Sequence, residues 1–202
     1  MTTFQHYSID RVYKYIFDLA SQKGAISQEV KDLIESKRLK LEDETIYVRK
    51  TQNGFSGTVE LLPASQGYAR GTTNLYDRKL PANTYFFVSS IYVGFAASAA
   101  DADAAVAYTS LVTGVVAAVR NGHLRITQGS TPVIDLPLAG FFCNAAAQGS
   151  LKDQSTALTD IRHFDPQQDI EVFIDCADGQ TSPGNDSIEV LLFGHKTKQK
   201  VW

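Results

Sequence analysis

Apolar residues recur along this chain in two rhythms. In residues 8–21, Ile9, Val12, Tyr13, Ile16, Leu19 and Ala20 repeat at the intervals that line one face of an α-helix. Ser8 is placed to cap that helix. Gly24 is placed to end it, because glycine takes the left-handed terminal conformation at little cost. A second short helix is predicted after Ser27, with Val30, Leu33 and Ile34 on one face. Two helices this short bury too little surface to stand alone, so their apolar stripe must be covered. Residues 1–44 therefore read as an N-terminal helical segment, and the reading favours a neighbouring subunit as the cover.

From Thr45 the rhythm changes to period two. Residues 45–50 and 58–62 are predicted as short strands. Residues 84–95 form a longer one, with Tyr85, Phe87, Ile91, Val93 and Phe95 on one face and Phe86, Val88 and Tyr92 on the other. Apolar residues on both faces predict a strand covered on both sides. Residues 123–127, 134–138, 169–175 and 188–195 alternate as well, with Pro137 marking an edge or a strand end. Asn121-Gly122 is a two-residue hairpin signal and residues 128–131 offer a second turn, which together predict a meander of 111–120, 123–128 and 133–138. Residues 96–107 fit a short helix from Asp101 or a loop equally well. The fold class is thus mainly β: an antiparallel two-sheet jelly-roll barrel over residues 45–202, behind the helical segment. An immunoglobulin-like sandwich is disfavoured, since its Cys-Trp-Cys pattern is missing and Trp202 is the single tryptophan.

A chain of 202 residues is long enough for one sizeable core. Its 20% of charged residues falls below the roughly 25% of an average globular chain, which suits a surface partly buried against other subunits. The net charge of −3 supplies no global field toward nucleic acid or anionic lipid. Two basic runs, Lys37-Arg38-Leu39-Lys40 and residues 196–200, read as a solvated face and a tail. Cys143 and Cys176 are too few for a disulfide framework and read as buried free thiols. Neither a signal peptide nor a membrane span is expected.

Catalytic patterns are missing: there is no nucleophile elbow, phosphate loop, paired-histidine zinc motif or Cys-x-x-Cys. His6, His123, His163 and His195 fall in separate elements, so no catalytic residue, metal ligand or cofactor is expected. Asp101 and Asp103 read as a solvated helix start. The loop carrying Asp175, Asp178, Asn185 and Asp186, with Gly179 and Gly184, is richer in oxygen ligands and reads as a polar turn, with a cation as the alternative. Asn185-Asp186-Ser187 is formally a glycosylation acceptor that would not meet the machinery. Most aromatic residues follow strand periodicity. Tyr68, Tyr76 and Tyr108 lie in less regular segments and are the candidates for an exposed contact surface.

At Arg120-Asn121-Gly122-His123-Leu124-Arg125-Ile126-Thr127-Gln128-Gly129, at Val133-Ile134-Asp135-Leu136-Pro137-Leu138 and at Phe141-Phe142, the chain resembles jelly-roll capsid proteins of tailless icosahedral bacteriophages. The resemblance covers about residues 80–195; those proteins also often carry an early helical segment, a mid-barrel hairpin and a late strand pair such as Asp169–Asp175 and Ile188–His195. The double jelly-roll members are much longer, so it implies a single-barrel subunit of the major or minor shell or of a vertex. It further implies self-assembly with copies of itself and other virion proteins, residence in the virion after synthesis in a host cytoplasm, and neither catalysis nor cofactor. Two rivals stand beside it. A carbohydrate-binding or lectin-like sandwich would expose aromatic side chains on one sheet face or loop end. A cupin-type enzyme would gather histidines and a carboxylate around a metal.

Overall fold

The computed structural model describes residues 9–22, 26–97, 106–110, 115–142 and 154–199. Ser8, Gly24, His6, Asp101, Asp103 and Cys143 lie outside the described residues. Two helices, α1 (Ile9–Ser21) and α2 (Gln28–Glu35), precede strands β1 (Leu39–Asn53), β2 (Thr58–Glu60) and β3 (Phe86–Ala96). A single turn of helix, α3 (Ala117–Arg120), leads into β4 (His123–Gln128) and β5 (Thr131–Pro137), and a 3-10 turn follows at Leu138–Phe141. The chain ends with β6 (Thr156–Phe164), β7 (Ile170–Asp175) and β8 (Asn185–Gln199).

The strands form two four-stranded sheets of order β1-β8-β3-β6 and β2-β7-β4-β5, antiparallel throughout. The expected two-sheet antiparallel architecture is therefore present, and each sheet is open, with two edge strands, rather than closed into a barrel. Within it the chain pairs its first strand with its eighth, second with seventh, third with sixth and fourth with fifth. The main core fills the space between the sheets. Ile46, Val48, Phe86, Val93 and Val190 face Val59, Leu124, Ile126, Val172 and Ile174 across it, all buried.

The helices make a third layer. Ser27 caps α2, its hydroxyl accepting from the Val30 amide at 3.4 Å. The α1 stripe of Val12, Ile16 and Leu19 packs with Val30 onto Leu39, Leu41, Tyr85, Phe87 and Ile161 of the outer sheet face. The cover is the protein's own sheet, which corrects the expectation of a neighbouring subunit. It also explains the alternation of β1: odd-numbered Leu39 and Leu41 point to the helices, while even-numbered Ile46 and Val48 point to the core. The strand begins at Leu39, inside the segment expected to be helical.

Three other departures have local causes. The β3 register shifts against β8 between Val88 and Ser90, a bulge at Ser89. One extra residue exchanges the faces, so Tyr85 and Phe87 meet the helices whereas Ile91, Val93 and Phe95 join Phe86 and Val88 in the core. Residues 117–120 are helical where a strand was expected, and Asn121 caps that turn instead of making a hairpin. The second turn expected, at residues 128–131, is present: Gln128 pairs with Thr131 around Gly129-Ser130, with Gly129 at φ 58°. Finally, β6 was not foreseen, because its buried residues Leu158, Ile161 and Phe164 recur every three positions. Its register explains the spacing: Arg162 pairs with Val88 and Ala157 with Ser90, so the residues between them bulge from the ladder.

Candidate functional site

The long connection between β2 and β3 returns along the outer edge of β1. There the Asn74 side chain imitates a strand, accepting from the Tyr47 amide at 3.0 Å and donating to the Thr45 carbonyl at 2.7 Å. The Arg49 amide donates to the Thr72 carbonyl at 2.8 Å. This stretch of β1 is thereby satisfied and offers no free ladder.

Beyond Asn74 the chain turns sharply at Tyr76–Lys79, closed by the Lys79 amide on the Tyr76 carbonyl at 2.9 Å. Asp77 and Arg78, the two central residues, have φ of 47° and 59°. Consecutive left-handed residues with side chains are costly and persist only where the surroundings impose them. Arg78 supplies that anchor. It is 11% exposed and lies 3.1 Å from Glu60, 3.1 Å from Asp169 and 3.6 Å from Glu171. Its carbonyl accepts from the Ile170 amide at 2.8 Å. Lys79 also meets Asp169 at 3.1 Å, and that hydrogen bond holds the Asp169 carboxyl below its ordinary pKa.

The turn projects Tyr76, which is 67% exposed, against Tyr68, 41% exposed. Their rings stack at 4.6 Å between centroids and 6° between planes. Arg70 hydrogen-bonds Tyr68 beside the stack, which raises the guanidinium pKa further. Two of the three tyrosines singled out in the sequence thus meet at one exposed place. Tyr108 does not join them: half-buried, its ring lies 5.7 Å from the Arg49 guanidinium carbon, which also lies 5.0 Å from the Tyr47 ring. Arg49 also pairs with buried Glu189, whose carboxyl is pushed up by burial although Arg49 opposes the shift.

A cleft of about 700 Å³ opens behind Tyr76, between the β2–β3 connection and strands β1, β3 and β8 of one sheet. Ile46, Leu75, Leu80 and Phe86 form its apolar part, and Glu44, Asp77, Lys79 and Lys196 its polar rim. The volume lies within the roughly 300–1,000 Å³ of small-molecule sites. Sequence reasoning reached Tyr68 and Tyr76 by their irregular setting. It missed Arg78 and the cleft, since nothing local signals that residues from three strands and two connections converge there.

The other candidates are dispersed. His123 on β4 meets Asp135 at 3.2 Å and His195 on β8 meets Asp43 at 3.1 Å. On β6, His163 accepts or donates at Nδ1 with the Tyr15 hydroxyl at 3.0 Å and lies 3.6 Å from Asp165. Each imidazole has its own neighbours, and no group of three or more metal-ligating side chains occurs among the described residues. In the Asp175 loop, the Asp175 carboxylate is taken by Arg125 at 2.8 Å and Thr58 at 2.7 Å, and Arg125 holds its pKa down. Asp178 is exposed and Asp186 buried. Cys176 is buried, which pushes its thiol pKa up. The basic runs are partly neutralised: Lys40 and Lys198 bracket Glu42 at 3.1 and 3.2 Å, and Lys196 pairs with Glu44. No described helix is long and apolar enough to cross a membrane. The chain matches no protein-family model and no curated protein sequence.

Proposed function

We propose that this protein is a structural shell subunit: a jelly roll that assembles with copies of itself, as in the capsid of a tailless icosahedral bacteriophage. The observation that carries the reading is the pairing of first strand with eighth, second with seventh, third with sixth and fourth with fifth. A long antiparallel ribbon with β4 and β5 at its closed end, rolled into two facing sheets, has this order. Such winding belongs to jelly rolls, which recur in viral capsids, lectins and cupins. The separate settings of His123, His163 and His195 favour the first of these over a cupin-like metal centre.

The edges support contact through faces and loops rather than strand addition. Asn74 and Thr72 occupy part of the β1 edge, and Pro132 and Pro137 interrupt donors on edge strand β5. Light scattering coupled to size exclusion over a concentration series tests the proposal. The reading expects a mass far above the 22.1 kDa chain in at least one assembly condition. A mass equal to one chain under every condition would oppose it.

A further inference from the structure

We propose that the cleft behind Tyr76 is a binding site for a neutral saccharide. This inference does not depend on whether the subunit assembles.

Its first support is the pairing of an apolar interior with a compensated rim. Ile46, Leu75, Leu80 and Phe86 offer carbon surface. Around them Lys79 is paired with Asp169, Lys196 with Glu44, and Lys198 with Glu42. No lysine of this rim stands without a carboxylate, so the rim has little to draw a phosphate or carboxylate ligand. It does hold both donors and acceptors, in the ammonium groups and in the carboxylates of Glu44 and Asp77. A pyranose matches that combination. Its axial C–H groups make an apolar face, while each hydroxyl both donates and accepts.

The second support is the aromatic wall. A sugar's C–H face packs on an aromatic ring, and Tyr76 borders the cleft while remaining 67% exposed. Exposed tyrosines on loops ordinarily lose rotamer freedom on binding. Here Tyr68, which is not part of the cleft lining, stacks on the Tyr76 ring at 4.6 Å. The turn beneath is fixed by Arg78 and its three carboxylates. Left-handed Asp77 and Arg78 are strained, and such strain gathers at ligand clamps. Much of the ordering cost has thus been met before a ligand arrives.

The test uses the full chain on an array of neutral oligosaccharides, followed by calorimetry with the strongest binder. The proposal expects saturable binding that Tyr76→Ala weakens at least tenfold and Tyr76→Phe largely retains. Asp77→Gly keeps the left-handed turn but removes an acceptor, and it should also weaken binding. Circular dichroism confirms that each variant is folded. Absence of binding to every neutral saccharide would overturn the proposal. So would undiminished binding by both Tyr76→Ala and Asp77→Gly, or preference for anionic sugars alone. If no sugar binds and Tyr76→Ala instead changes particle size, the tyrosine pair is a contact between copies and the saccharide assignment fails.

Discussion

Gly194 sits where β8 passes the bulge of β3, and a Cβ built there would lie 1.9 Å from the Phe87 carbonyl oxygen. The obstacle is backbone on a central strand pair, so it cannot swing aside as a side chain would. Gly194→Ala should therefore cost about 1–3 kcal/mol, as overpacking does, read as a lower urea midpoint. His163 makes a different demand. Burial against Tyr15 and Phe87 lowers its pKa, and only Asp165 opposes the shift. A lowered folded pKa means that the folded state prefers the neutral ring. The associated stability is complete above about 6.5, the unfolded value, and is lost as pH falls through the lower folded value. Tyr15 from α1, Arg162 and Asp165 are the ionisable groups around it. Melting temperature should fall between neutral and mildly acidic pH, and His163→Gln, which keeps a partner for Tyr15, should flatten that slope.

The α1 helix shows what an element's sequence can and cannot say. Of the stripe predicted from spacing, Val12, Ile16 and Leu19 are buried and Tyr13 and Ala20 half-buried, whereas Ile9, in the first turn, is exposed. What covers the stripe is not legible, because Leu39, Leu41, Phe87 and Ile161 come from three strands and Tyr85 from the residue before one of them. Since the cover is internal, Ile16→Ala should cost about 2–5 kcal/mol. Deleting residues 1–36 should expose Leu39, Leu41, Tyr85, Phe87 and Ile161 together, giving an aggregating or dye-binding product in place of a soluble β domain. A soluble, cooperatively melting fragment would show that the helical layer is dispensable. The same limit explains the strands. Clean alternation made β4 and β7 readable, whereas one inserted residue at Ser89 reversed the faces within β3 and the bulge of β6 hid its period. The exposed half of the candidate site was readable as Tyr68 and Tyr76. Its anchor was not, since Arg78 acts through Glu60, Asp169 and Glu171 on distant segments.

At the scale of the molecule, the order of pairing decides the reading more than any single residue. Strand predictions carry no partners, yet the ribbon order from β4 and β5 out to β1 and β8 is the observation on which the proposed shell-subunit reading rests. Among the described residues, the large exposed apolar side chains are Ile9 and Phe17 on α1 and Tyr68 and Tyr76 on the β2–β3 connection. These two patches are where contacts with other molecules should concentrate. The central claim is that the subunit builds a shell, and negative-stain electron microscopy of the purified full chain tests it most directly. The account predicts closed particles or regular rings of uniform size. Fields of dispersed single subunits across salt and protein concentration would contradict it.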